Sequence, residues 1–276
     1  MSVGEDLTNS LGLRRNRVKQ RWDAGEVALA SWAGLADPAL VEILALAGFD
    51  AAGINLEHAA FGVELVRSMI VAAEAADITP IVRVPSGAWD LALLVLDAGA
   101  QGIQVPRVPD AETATRAVEA VRYAPQGRRG AFGNSRAARF GAIPWAEYAE
   151  SANEEILLAV MIEDERGLSH VEEIAAVDGI DLINVGGADL AESLGIRTPN
   201  HPRLRDALHD VAKRVHSVGK ARLGFTIGHP FLTLSIDELR EIGVSYANVA
   251  PHPEVLLRQS LTDLVTHIRA GGNANP

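Results

Sequence analysis

The chain has 276 residues, 48% of them hydrophobic, and a formal net charge of −11 at pH 7. This length and apolar content are typical of one large α/β domain, and the negative charge argues against nucleic acid as a partner. Cysteine is absent, which excludes disulfides, thiolate metal sites and a cysteine nucleophile and favours a cytoplasmic enzyme. No run of about 18 apolar residues predicts a membrane span, and the polar start of the chain does not resemble a secretion signal.

A first helix is predicted near residues 9–23. Its basic run "RRNRVKQR" is interpreted as a solvated helix face in preference to a nucleic-acid arm. Eight short apolar runs follow and are predicted to be strands: 27–34, 51–57, 78–84, 102–108, 156–163, 180–186, 221–227 and 245–250. They are apolar almost throughout, as parallel strands covered on both faces are.

Helical stretches separate these strands and carry residues typical of helix ends. The predicted starts are Asp37 with Pro38, Ser86, Ser169 with Glu172, and Ser235 with Glu238, the last two as capping boxes. The predicted ends are Gly48 and Gly99. Eight strands alternating with helices predict a single (β/α)₈ TIM barrel over residues 1–276.

Two segments do not fit the simple repeat. Residues 124–155 are too long for a plain loop and are predicted to form an insertion with short helical segments over one end of the barrel. The last segment, "PEVLLRQSLTDLVTHIRAG", is predicted to be an amphipathic helix. Its apolar positions could pack on the parent barrel or on a neighbouring subunit, and the sequence leaves both open.

Polar side chains fall where five of the strands end, which is where TIM barrels carry their catalytic groups. They are Glu57 and His58 after strand two, Arg83 after strand three, Gln104 and Arg107 after strand four, Glu163 after strand five and Asp189 after strand six. One charged residue at a strand end is usually the start of a solvated loop. Convergence from five strands favours a site.

The carboxylates of Glu163 and Asp189 come from adjacent strands and would repel each other unless a cation lay between them. Oxygen ligands favour Mg²⁺ or Mn²⁺, with Co²⁺ as a further candidate. Arg83 would place fixed positive charge opposite this metal, which suits a substrate that develops an enolate. His58 is the predicted proton carrier. No strand ends in a lysine, so a Schiff base is not expected.

Asp97 is a candidate to orient His58. It lies in the last turn of a predicted helix, where the helix dipole disfavours a negative side chain. The alternative, an exposed aspartate near a helix end with no role in the site, is equally compatible with the sequence.

Several motifs occur in order between about residues 27 and 258: "GFDAAGINLEHA", "PIVRVP", "LLVLDAGAQGIQVPRV", "RYAPQGRRG", "MIEDERG" and "VGGADLAESLG". Together they resemble the HpcH/HpaI family of metal-dependent pyruvate aldolases. The resemblance implies a barrel of the phosphoenolpyruvate/pyruvate-binding type that cleaves 4-hydroxy-2-oxo acids to pyruvate and an aldehyde. It also implies a hexamer, built as a trimer of dimers, in which the last helix is exchanged between partners.

The resemblance also implies residue roles. Glu163 and Asp189 would be the metal ligands, and Arg83 would stabilise the enolate oxygen. His58, oriented by Asp97, would transfer protons. The substrate carboxylate would be bound by the backbone of Gly187, Ala188 and Asp189. The residues proposed for the aldehyde pocket are Arg136, Arg139 and Phe225, where the arginines could instead be surface charges or subunit contacts.

Three positions depart from the usual family pattern: Asn55 for an aspartate, Met161 for a polar residue, and Gly187 for a proline. These changes leave two other reactions open, oxaloacetate decarboxylation and an enolate addition like that of macrophomate synthase. A non-catalytic barrel that binds a small acid is an alternative of a different class.

Overall fold

The computed structural model describes residues 14–59 and 61–273, in which eight parallel strands form a closed barrel in chain order. The strands are β1 Ala28–Ala33, β2 Ala51–Asn55, β3 Thr79–Arg83, β4 Gly102–Val105, β5 Leu157–Ile162, β6 Leu182–Val185, β7 Arg222–Ile227 and β8 Val244–Val249. Pairing of β1 with β8 closes the barrel. All eight predicted strands are confirmed, although most are shorter than predicted.

Twelve α-helices surround the strands in the described residues. They are α1 Arg17–Asp23, α2 Pro38–Leu46, α3 Val63–Ala75, α4 Trp89–Asp97, α5 Ala111–Val121, α6 Trp145–Glu155, α7 Glu165–Ser169, α8 Val171–Ala175, α9 Gly187–Ser193, α10 Pro202–Val218, α11 Ile236–Glu241 and α12 Pro253–Arg269. The predicted first helix began at residue 9, and its part before residue 14 lies outside the described residues. No helix in the described part of the chain is both long enough and apolar enough to cross a bilayer.

The helix-capping predictions were partly correct. The Asp37 side chain accepts a hydrogen bond from Ala39 N–H, and Ser235 forms the predicted capping box with Glu238. The prediction for Ser86 was wrong, because α4 begins only at Trp89 and its N-cap residue makes no side-chain cap. The predicted box at Ser169 was also wrong. Ser169 is the last residue of α7, and its hydroxyl donates to the Glu165 carbonyl of the same helix.

At its amino end, the barrel interior combines alanines with a few large apolar side chains. A buried cluster there contains Val18, Trp22, Ala28, Ala30, Ala51, Ile81, Leu157, Ala159, Leu182 and Tyr246. Nearer the carboxyl end, the ring of Trp32 lies against Gly53, where a Cβ would come within 2.4 Å of a ring carbon. The absence of a side chain at Gly53 therefore leaves room for the Trp32 ring, which lies directly below the candidate site.

The segment between α5 and β5 lies at the amino end of the barrel, because every helix-to-strand connection is at that end. Arg122 is 2% exposed and fixes this segment. Its guanidinium donates to the Asn153 carbonyl at 2.9 Å, the Ile156 carbonyl at 2.7 Å and the Gly179 carbonyl at 2.9 Å. It also contacts the Asp181 carboxylate at 2.5 Å. The insertion therefore supports the fold at the end opposite the carboxyl ends of the strands.

Replacing Arg122 with leucine is expected to destabilise the protein by about 3–5 kcal/mol, because it leaves a carboxylate and three carbonyls without their shared partner. The free energy of unfolding from urea titration measures this. The control is Arg128→Leu, whose side chain is 83% exposed and 3.3 Å from Glu119, with an expected change below about 1 kcal/mol. Equal effects of the two substitutions would show that the buried hydrogen bonds of Arg122 add nothing to the free energy of unfolding beyond what an exposed arginine adds.

Candidate active site at the carboxyl end of the barrel

The turn after β2 folds around the side-chain oxygen of Asn55. This Oδ1 accepts hydrogen bonds from the backbone N–H of Glu57 at 3.0 Å and of His58 at 3.3 Å. It also accepts from Nε of Arg83, on the neighbouring strand β3, at 3.1 Å. One amide oxygen thus fixes Glu57, His58 and Arg83 relative to one another at the mouth, the end of the barrel formed by the carboxyl ends of the strands.

Arg83 is held on three sides. Its guanidinium lies over the Trp32 ring, 5.1 Å from the ring centroid, and its Nε is 3.3 Å from Glu57 Oε2. Burial lowers the pKa of Arg83 from its ordinary value. Three carboxylates oppose this by raising it, those of Glu57, Glu163 and Asp189. The group is therefore a fixed positive charge facing a cluster of acids.

Glu163 follows β5 directly and is only 4% exposed. Its Oε1 accepts the backbone N–H of Arg107 at 2.7 Å. Its Oε2 lies over Gly186, where a Cβ would come within 2.3 Å of that oxygen, and it accepts no hydrogen bond from the described residues. Burial raises the pKa of Glu163 to about 7, and the charges of Asp189 and Glu57 act in the same direction.

Asp189 lies in the first turn of α9, close enough to raise the pKa of Glu163 by its charge. A largely buried carboxylate with one oxygen that accepts no hydrogen bond, beside a second carboxylate, fits a divalent cation with oxygen ligands. Among the described residues no group of three or more His, Asp or Glu side chains could hold a metal. A cation between Glu163 and Asp189 would therefore complete its coordination with water or substrate oxygens.

The floor of the site is a buried polar layer. Gln104 donates a hydrogen bond to the Met161 sulfur at 2.9 Å and accepts one from Asn184 at 3.2 Å. Gln104 is fully enclosed, so it supports the site from below. Met161 packs under Gly186, where a Cβ would come within 3.0 Å of its terminal methyl group.

The sequence model of the HpcH/HpaI aldolase/citrate lyase family matches residues 29–226 of this chain. The chain belongs to the HpcH/HpaI family. A hydroxypyruvate/pyruvate aldolase of Pseudomonas aeruginosa is 36% identical over 266 residues, which cover 94% of this chain and 95% of that protein. A 5-keto-4-deoxy-D-glucarate aldolase of Enterobacter sp. (strain 638) is 35% identical over 206 residues, covering 74% of this chain and 80% of that protein.

The solved structure of the citrate synthase SbnG has a TM-score of 0.81 and 32% sequence identity, covering 92% of this chain and 98% of that chain. The predicted HpcH/HpaI family and the predicted (β/α)₈ barrel are therefore both confirmed.

The pairing of His58 with Asp97, expected from the family, is not formed within this chain. Asp97 is the last residue of α4, which runs back from the mouth, so its side chain lies at the amino end of the barrel. There it accepts a hydrogen bond from Arg129 at 2.7 Å. The imidazole Nε2 of His58 lies instead 3.2 Å from Glu57 Oε2. Arg129 also explains how an acidic side chain is tolerated at a helix C-terminus.

The three residues predicted to line the acceptor pocket have other contacts within this chain. Arg136 and Arg139 both form ion pairs with Glu74, at the end of α3 on the amino side of the barrel. Phe225 packs in the core between the sheet and the surrounding helices and is buried. None of the three faces the mouth.

His229, in the loop after β7, is a residue at the site that sequence reasoning missed. Its Nδ1 accepts the backbone N–H of Phe231 at 3.1 Å, and burial lowers the pKa of His229 to about 4. The ring packs against Gly187, where a Cβ would come within 2.9 Å of it. This contact gives a reason for glycine at 187. No pattern around His229 in the sequence indicated it.

Proposed function

We propose that this chain is a divalent-metal-dependent aldolase, a carbon–carbon lyase that forms and cleaves 4-hydroxy-2-oxo acids, with pyruvate as donor and an aldehyde as acceptor. HpcH/HpaI aldolases generally depend on a divalent metal. The observation that carries the proposal is the buried carboxylate of Glu163, which lies close to the charges of Asp189 and Arg83 with one oxygen left without a hydrogen bond.

In the cleavage direction, a proton leaves the 4-hydroxyl group, the bond between C3 and C4 breaks to release the aldehyde, and C3 then takes up a proton to give the methyl group of pyruvate. A divalent cation held by Glu163 and Asp189 would supply positive charge next to the carboxylate and carbonyl oxygens of the 2-oxo acid. The guanidinium of Arg83 stabilises negative charge on the same carbonyl oxygen as the bond breaks.

We assign the proton transfers to Nδ1 of His58, because the other ring nitrogen, Nε2, lies 3.2 Å from the Glu57 carboxylate that orients the ring. Glu57 thus takes the orienting role that the sequence suggested for Asp97. The substrate carboxylate is proposed to bind the backbone of Gly187, Ala188 and Asp189, whose N–H groups open α9 and have no partner inside that helix. Mg²⁺, Mn²⁺ and Co²⁺ are the proposed cations.

We further propose a homo-oligomer, a hexamer built as a trimer of dimers, in which α12 packs on a partner subunit. No residue of α12 is buried in the single chain. The large apolar side chains that it exposes are Leu256, Leu257, Leu261, Val265 and Ile268. A contiguous apolar face of this kind is typical of a contact surface.

Exchange of the pyruvate methyl protons with deuterium tests the central step without needing the aldehyde. The enzyme is expected to catalyse exchange in D₂O with Mg²⁺, Mn²⁺ or Co²⁺, to lose it in EDTA and to regain it on adding the cation, as followed by proton NMR. Exchange that survives both chelation and Glu163→Ala would contradict the metal assignment. No exchange at all would favour the alternative, a barrel that binds a small acid without catalysis.

An oxaloacetate decarboxylation assay run in parallel separates the aldolase from the decarboxylase. The proposal expects aldol cleavage of a 4-hydroxy-2-oxo acid to exceed oxaloacetate decarboxylation in kcat/KM. The reverse order would replace the proposed reaction while keeping the enolate site.

A further inference from the structure

Arg107 has a backbone conformation that few residues with side chains adopt. Its φ is +51°, in the left-handed region that is costly for a residue other than glycine and that persists where surrounding contacts enforce it. Those contacts are present. The N–H of Arg107 donates to Glu163 at 2.7 Å, and the N–H of Val108 donates to the Met161 carbonyl at 3.1 Å. The backbone of Arg107 is therefore fastened to β5 beside the buried carboxylate.

The side chain of Arg107 reaches across the mouth. It starts at the end of β4, and its Nη2 lies 3.4 Å from Oε1 of Glu57, which follows β2. Because β3 lies between these two strands, the side chain passes over the end of β3, where Arg83 lies. The charge of Arg107 lowers the pKa of Arg83, as expected for two guanidinium groups this close.

Arg107 is more available to a ligand than Arg83. Arg83 is committed to Asn55, Glu57 and the Trp32 ring. The Arg107 side chain is 60% exposed, and its one ion pair with the described residues is the 3.4 Å contact to Glu57. Most of its five N–H donors are therefore left for solvent or a ligand, in a planar fork that suits carboxylate or phosphate oxygens.

We propose that Arg107 is a specificity-determining residue that binds an anionic group at the far end of the aldehyde, or of the matching 4-hydroxy-2-oxo acid. This inference rests on the proposed aldolase function and names its substrate class, acceptors that carry a carboxylate or a phosphate away from the reacting carbon. Arg107 takes the role that the sequence suggested for Arg136 and Arg139, which Glu74 holds at the other end of the barrel.

The test compares acceptors of matched size with and without the charge: succinic semialdehyde against butanal, and glyceraldehyde 3-phosphate against glyceraldehyde. The measured quantity is the ratio of kcat/KM for the charged to the neutral member of each pair. Arg107→Met keeps the backbone N–H that contacts Glu163 and removes only the guanidinium. It is expected to lower the ratio about 10-fold in at least one pair, as loss of one charge-assisted contact at an exposed site does. The pair that responds identifies the anion.

Arg107→Lys keeps a charge and is expected to recover part of the ratio. Arg166→Met is the matched control. Arg166 is an exposed arginine in α7 that pairs with Asp110 at 2.6 Å, so its loss changes the net charge equally and is expected to leave the ratio unchanged. Raising the salt concentration to about 0.5 M should lower the wild-type ratio, since exposed charges are screened.

An unchanged ratio in Arg107→Met, with both members of a pair slowed equally, would overturn the inference and leave Arg107 as a support for Glu57. An equal fall of the ratio in the Arg166 control would overturn it too. Failure of the proposed function looks different, because the wild-type enzyme would then form no product from pyruvate and any of the four aldehydes.

Discussion

Replacing Glu163 with glutamine is expected to abolish aldol cleavage and, in the cation-free protein, to increase stability at neutral and alkaline pH. Mutating a residue that hydrogen-bonds to a metal ligand typically lowers metal affinity or activity by about 10- to 100-fold. Loss of the ligand itself is therefore expected to lower kcat/KM by more than about 100-fold. The glutamine oxygen can still accept the Arg107 N–H, so the local geometry is preserved while the negative charge is removed.

The gain in stability follows from the raised pKa of Glu163. Below about pH 4.5 the carboxyl is protonated in both the folded and the unfolded chain and contributes no pH dependence. Between pH 4.5 and about 7 the unfolded chain has released the proton while the folded chain retains it, so wild-type stability falls as the pH rises. Above that range the penalty is constant at about 3 kcal/mol.

The measurement is urea unfolding of the wild type and Glu163→Gln in EDTA at about pH 4.5 and pH 8. We expect their difference to be larger at the higher pH. Glu172→Gln, an exposed change of the same kind in α8, is the control and is expected to show no such trend. Added Mn²⁺ should raise the melting temperature of the wild type and not of Glu163→Gln. An active variant, or a pH-independent difference, would refute the assigned role of Glu163.

Arg83→Lys is expected to lower kcat about 100- to 1,000-fold, the loss typical of removing a preorganised donor to a developing oxyanion. Lysine keeps the charge, but it cannot bond Asn55 and Glu57 while lying flat on the Trp32 ring. Because the lost interaction is made mainly in the transition state, kcat should fall more than KM rises.

The barrel offers a matched control for this change. Arg222 lies over the Trp22 ring at 5.0 Å, nearly the same geometry at the amino end. Arg222→Lys is expected to leave kcat unchanged. Steady-state kinetics at saturating cation compares the two variants, and equal losses would show that stacking on tryptophan, and not position at the mouth, accounts for the effect.

The sequence predicted the barrel well because strands covered on both faces must be apolar almost throughout. Few folds other than a closed barrel contain eight such strands that alternate with helices. Glu163 and Arg83 were identified for a related reason. A charged residue that ends a buried strand of a barrel lies at the mouth wherever the loops go.

The errors concern contacts that one-dimensional patterns do not encode. Asp97 was assigned to the site from its unfavourable place at a helix end and from the family resemblance, and Arg136 and Arg139 from their place in the inserted segment, yet each lies on a segment that leads back to the amino end. For Phe225, hydrophobicity could not indicate which way the side chain points, because both faces of β7 are apolar. The contacts of Arg107 and His229 depend on loop conformations, and sequence spacing does not specify those.

Asn55 shows that the positions of the side chains at this site can be fixed independently of its electrostatic potential. Its uncharged oxygen gathers two backbone donors and the Arg83 side chain, a task that needs an acceptor and no ionic charge. An aspartate would organise the same turn, but it would add a fourth anion to those of Glu57, Glu163 and Asp189. An exchange between asparagine and aspartate at this position would therefore change the electrostatic potential at the cation and the substrate. The backbone and side-chain contacts that hold the site would stay the same.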